Sequence, residues 1–237
     1  MMKKIAIDNP DNYLVNPYLA IRLFAKTYLA LGDVVMKDRK YKVTREAWIA
    51  SMFLIALSKN SGLDWWFTPV SDNSGSPDFN CYTMKMSAKY KGANKNRIKL
   101  EVFEWRKSNP SEEFISALTR IKLNKIIDPE ITLLCYIKDG GTIPPAVLLN
   151  SRLKQINPKV KDVWYLGDVS RDGKTWRVTQ IYPNLLTIDI DYDEILHTKE
   201  EHSFVHTYRA SSEKVEFEHT DQQVLLTPEF EFQLFEK

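Results

Sequence analysis

The sequence predicts an α/β fold: a central mixed β-sheet flanked by helices, with a β-rich C-terminal extension. Three observations carry this reading. Apolar residues recur at helical spacing after Pro17 and again after Thr44. The run ITLLCYI at 131–137 is continuously apolar, as a strand buried on both faces should be. The tail from residue 185 alternates apolar with charged residues in LLTIDIDYDEI, KVEFEH and EFEFQLF, the period of strands.

Taken in order, residues 1–16 are a polar lead-in. Asn16 then caps a helix with Pro17 in its first turn, and Gly32 stops it. A second helix runs from Thr44 to Gly62. It carries Glu46 in its first turn, and its interior, AWIASMFLIAL, is apolar on most faces and therefore deeply packed. Trp65, Trp66 and Phe67 form a short aromatic segment. SDNSGS at 71–76 is a turn, leading into Pro77-Asp78. Residues 79–90 and 97–106 read as two strands joined by a KGANKN turn. On the second of them Lys99, Glu101, Phe103 and Trp105 share one face, while Ile98, Leu100 and Val102 share the other. A third helix follows over 108–127, ended by Asp128-Pro129. After strand 131–137 come a turn at 139–141, a helix over 144–156, and strands at 163–166 and 176–182. The whole reads as a lead-in (1–43), an α/β core (44–184) and an extension of the same domain (185–237).

A formal charge of +2 from 33 basic and 31 acidic residues is too small to argue for nucleic acid by itself. Its distribution says more: Lys85, Lys89, Lys91, Lys95, Arg97, Lys99, Arg106 and Lys107 crowd 85–107 against Glu101 and Glu104 alone. A basic zone beside acidic residues suits a polyanionic ligand, with Lys89, Lys91, Lys95 and Arg97 as its nucleic-acid contacts. A solvated lysine-rich hairpin is the plain alternative. Trp65, Trp66 and Trp105 add rings on which bases could stack, though most of the tryptophans are expected in the core.

Cys81 and Cys135 fall in apolar strand-like runs, which reads as buried thiols in a reducing compartment. No signal peptide is read in MMKKIAIDNPDN, and no run approaches the ~18 apolar residues of a membrane span. A cytoplasmic protein that avoids membranes is expected. With 8 glycines and no phosphate-cradling or dinucleotide fingerprint, nucleotide-dependent enzymes are disfavoured. His197, His202 and His206 lack a metalloprotease motif and read as surface residues. IDIDYDE at 188–194 reads as a strand with an acidic face.

The strongest chemical signal is Pro77-Asp78 followed by Glu101 on the strand Leu100-Glu101-Val102-Phe103. A carboxylate flanked by core positions needs a partner. With Glu46 on the preceding helix, this order of elements over residues 44–167 resembles the PD-(D/E)xK, or restriction-endonuclease-like, nuclease superfamily. The resemblance implies a restriction-endonuclease-like core and hydrolysis of phosphodiester bonds in nucleic acid. It implies Mg²⁺ (or Mn²⁺) held by Asp78 and Glu101, with Glu46 as an auxiliary acid.

The pattern's lysine, two residues after the glutamate, is here Phe103. Lys99 or Lys85 is the expected substitute. Glu104 with Arg106 is another arrangement, and loss of catalysis with the fold kept as a nucleic-acid- or protein-binding module is a further one. By the same analogy the setting would be bacterial defence or a mobile element, with a homodimer or a partner subunit left open.

Overall fold

The computed structural model describes residues 4–5, 13–70, 76–86, 91–105, 113–138, 145–170, 172–198, 205–210, 215–218 and 223–235. At 4–5, 84–86, 91–95, 205–210, 215–218, 223–225 and 233–235 it describes the backbone alone. The elements are β1 (Lys4–Ile5), β2 (Tyr13–Val15), α1 (Pro17–Leu31), α2 (Val34–Lys37), α3 (Lys42–Ser61), β3 (Asp64–Pro69), β4 (Phe79–Met86) and β5 (Lys91–Trp105). There follow α4 (Phe114–Leu118), β6 (Ile131–Ile137), α5 (Ala146–Ile156), β7 (Asp162–Asp168), β8 (Thr175–Tyr182) and β9 (Leu186–Asp191). The last are α6 (Tyr192–His197), β10 (Val205–Ala210), β11 (Val215–Glu218), β12 (Gln223–Leu226) and β13 (Phe232–Phe235). No helix among the described residues is long and apolar enough to cross a membrane.

The chain forms two compact units that interleave in sequence. One comprises 1–73, 79–97 and 194–237; the other comprises 74–78 and 98–193. These limits cut across the boundaries read from sequence at 43/44 and 184/185.

In the first unit an antiparallel run β11-β10-β2-β3-β4 is joined by the small sheet β1-β13-β12. β11 also pairs with the opening residues of β5, Glu216 opposite Ala93, which brings the run back on itself. This pairing explains why the expected KGANKN turn is extended: a partner far along the chain supplies the hydrogen bonds that local turn chemistry would otherwise take. α1 begins as expected, with Asn16 Oδ1 accepting from the Tyr18 N–H at 2.9 Å. α3 starts two residues before Thr44 and ends at Gly62, whose positive φ of 67° suits glycine. Its residues 44–56 are buried throughout, as the all-round apolar pattern requires.

The second unit is a mixed sheet. The latter half of β5, β6 and β7 run parallel, Glu101 opposite Leu133 and Leu133 opposite Val163. β7, β8 and β9 then run antiparallel. Every residue of β6 is buried, as its unbroken apolar sequence predicts. One face of this sheet packs Phe103, Trp105, Leu133, Cys135 and Val163 against Phe114, Ile115 and Leu118 of α4 and Leu149 and Leu153 of α5. The third helix is shorter than expected, because α4 gives way to a π-helical turn over Thr119–Leu123. Residues 192–195, expected to continue a strand, belong to helix α6.

Asn150 ties α5 to the end of β8, its Nδ2 donating to the carbonyls of Ile181 at 2.9 Å and Pro183 at 3.0 Å. Asn150→Ala leaves the buried Ile181 carbonyl and the part-buried Pro183 carbonyl without this donor. It should cost about 2 kcal/mol and lower Tm by roughly 4–8 °C in a chain of this size, measured by thermal denaturation.

Candidate functional site

The second unit gathers two acids and one lysine. β5 places Glu101 on the same face as Phe103 and Trp105, so its carboxylate is aimed at the helical layer. There it meets Lys122, whose Nζ ion-pairs with Oε1. Lys122 comes from the π-helical turn, where the Asn124 N–H reaches the Thr119 carbonyl at 3.0 Å, five residues back. Such widened turns re-aim side chains and are frequent at functional sites.

Asp78 stands one residue ahead of β4, and its Oδ2 accepts from the Val102 N–H at 2.8 Å. That bond fixes the aspartate beside the neighbour of Glu101. Its charge is felt there: burial pushes the Glu101 pKa up, Asp78 adds to the rise, and Lys122 and the Ser76 hydroxyl oppose it. Glu101 is 2 % exposed. Its second oxygen, Oε2, and Ser76 Oγ are both buried without a hydrogen bond of ordinary geometry, though the hydroxyl is near enough to favour the charged carboxylate.

A buried carboxylate is not by itself a site, and Asp162 on β7 marks the difference. Burial raises its pKa too, opposed by Thr132, Lys161 and Trp164, but no second acid contributes. Among the described residues, Glu101 combines burial, a like-charged neighbour and a lysine on one oxygen.

The expected site residues fare differently. Asp78 and Glu101 are brought together. Lys99 is not on Glu101: its Nζ lies 2.6 Å from Asp128 Oδ2, in the loop before β6. Glu104, one position on from Phe103 and so on the opposite face, pairs with Lys138. Glu46 belongs to the first unit, where Lys42, one turn earlier, is its partner at 3.2 Å. The side chains of Lys85, Lys91 and Lys95 lie outside the described residues, as do Lys89, Arg106 and His202. Arg97 is exposed, with Nη2 2.8 Å from Asn80 Oδ1 and its guanidinium over the Tyr82 ring. Of the two readings of the tryptophans, the core one holds: Trp65, Trp66 and Trp105 are at most 7 % exposed. Cys81 and Cys135 are buried free thiols, as expected, and burial pushes both thiol pKa values up.

Lys122 is the residue that sequence reasoning misses. A signal exists, since it is a charge between Ile121 and Leu123 on a helix that must pack against the parallel strands. The widened turn that aims it has no sequence signature.

Oxygen ligands from Asp78 and Glu101 form a donor set suited to a hard cation such as Mg²⁺, which keeps several waters and takes one or two protein carboxylates. Among the described residues no three His, Cys, Asp or Glu side chains form a fuller cage. Comparison of the chain with protein-family models, curated proteins and solved structures returns no match.

The raised Glu101 pKa has a stability consequence. An acid whose folded pKa exceeds its unfolded value near 4.3 penalises the fold once pH rises past that value, and the penalty levels off above the folded pKa. Glu101→Gln should therefore raise Tm at neutral pH, and the gain should shrink as pH falls toward about 4. Melting curves across that range check it.

Proposed function

We propose that the second unit carries a metal-dependent nuclease centre of the restriction-endonuclease-like kind, acting on phosphodiester bonds of nucleic acid. One observation carries the reading. Two carboxylates close enough for mutual repulsion, one of them buried, meet a lysine on one carboxylate oxygen, and the other oxygen has no hydrogen bond of ordinary geometry. The chain order supports it: helix α3, antiparallel β3 and β4, then β5 with the glutamate, then helix, then β6 parallel to β5. The carboxylates of Asp78 and Glu101 would hold Mg²⁺ or Mn²⁺. Bound there, the cation would supply Lewis-acid polarisation of a phosphoryl oxygen and an acidified water.

The chain's own residues do the rest. Asp78, fastened to the Val102 N–H, keeps its carboxylate beside Glu101 without relying on a flexible side chain. Glu101 is 2 % exposed, on the strand face that Phe103 and Trp105 share, which limits where its carboxylate can turn. Lys122 supplies from the helix the positive charge that the strand lacks at Phe103. An ammonium there can orient a water and offset charge developing on a phosphate. Its long stem, with the side chain 24 % exposed, lets it reach both Glu101 and a bound phosphate.

The test is cleavage of plasmid, single-stranded DNA and RNA with Mg²⁺ or Mn²⁺. Wild type should cut at least one of these. Asp78→Asn, Glu101→Gln and Lys122→Met should each lose about a hundredfold or more in rate, while Lys99→Met loses little. A wild type that binds nucleic acid but never cuts, with binding intact in Asp78→Asn and Glu101→Gln, would make the protein a binding module.

A further inference from the structure

Lys122 occupies an oxygen that a cation would need. Glu101 Oε1 carries the ammonium, Oε2 has no hydrogen bond of ordinary geometry, and Asp78 has one oxygen engaged by the Val102 N–H. The two acids bring two negative charges to the site, and the lysine cancels one of them. A divalent ion approaching this arrangement meets half the attraction that the acids alone would exert, together with direct repulsion from the ammonium.

We propose that Lys122 is a built-in counter-ion that competes with the divalent cation for Glu101, so that the site trades an internal ammonium for an external metal. The inference rests on the metal-site reading above and deepens it, since it concerns how the same site is loaded.

The side chains are unequal in the way this exchange requires. The Glu101 side chain is 3 % exposed on a buried strand, so it stays. The Lys122 side chain is 24 % exposed and ends in a freely rotating ammonium on four methylenes, so it can leave. Its backbone does not have to move: Asn124 and Ile126 donate to the carbonyls of Thr119 at 3.0 Å and Lys122 at 3.1 Å. Leaving also costs little in water, because the displaced ammonium swings toward solvent. Once off Glu101, the ammonium is available to a phosphate. A single residue thereby holds the empty site neutral enough to fold and serves the substrate when the site is filled. The opposite role is also physically coherent: Lys122 could hold Glu101 ionised and oriented as a ligand, so that its removal weakens metal binding. The two roles predict opposite signs.

The measurement is calorimetric titration of Mn²⁺ and of Mg²⁺ into the full chain without nucleic acid, using wild type, Lys122→Met and Lys122→Arg. Lys122→Met should bind Mn²⁺ about tenfold tighter or more, since a unit charge is removed from beside a divalent ion. Lys122→Arg should stay near wild type. Lys122→Gln replaces Lys122→Met should the latter fail to fold by circular dichroism. Binding in Lys122→Met with none in wild type also supports the exchange. Equal or weaker binding in the neutral variants, with wild type binding normally, overturns the exchange and leaves the metal site standing. No binding by any of the proteins overturns both.

Discussion

The ion pair between Glu101 and Lys122 is the contact around which the second unit's candidate site is built. A carboxylate in the middle of a buried strand face is costly unless something answers its charge. Beyond Lys99, the strand face it occupies continues into Phe103 and Trp105, which pack in an apolar layer with Leu133 and Cys135. Lys122 gives the charge a partner, yet only in part, because burial and the adjacent Asp78 still raise the pKa. A fold selected only for stability would place leucine at such a position. Two acids kept in each other's field are better explained by use than by packing.

Much of the fold was legible from pattern. Helix α1 with its Asn16 cap, the buried run of β6, helix α5 and the hairpin β7–β8 follow from periodicity and capping chemistry that act within a few residues. Where the reading failed, a distant partner decided the outcome. Lys91–Asn96 carries turn residues, yet is extended because β11 pairs with it from more than a hundred residues away in the chain. The acidic run after Asp191 keeps a strand's alternation but turns into α6.

The candidate site was legible in the same proportion. Asp78 and Glu101 are recoverable because each departs from its surroundings, one as an acid after a proline, the other as an acid inside an apolar strand. The cation was misplaced because strand alternation, which correctly puts Lys99 and Glu101 on one face, says nothing of the loop acid Asp128 that draws Lys99 away. Lys122 depends on a one-residue widening of a helix, an effect of packing that leaves no trace in composition.

The order in which the chain visits its two units carries a further consequence. Residues 74–78, which bring Ser76 and Asp78 to Glu101, are separated from the rest of their unit by the first unit's 79–97. A gene fragment beginning at Ile98 would encode the sheet, both covering helices and the lysine, but only half of the acid pair. The centre cannot be passed on by shuffling the C-terminal half alone, and any recombination that exchanges the β4 hairpin must carry the aspartate with it.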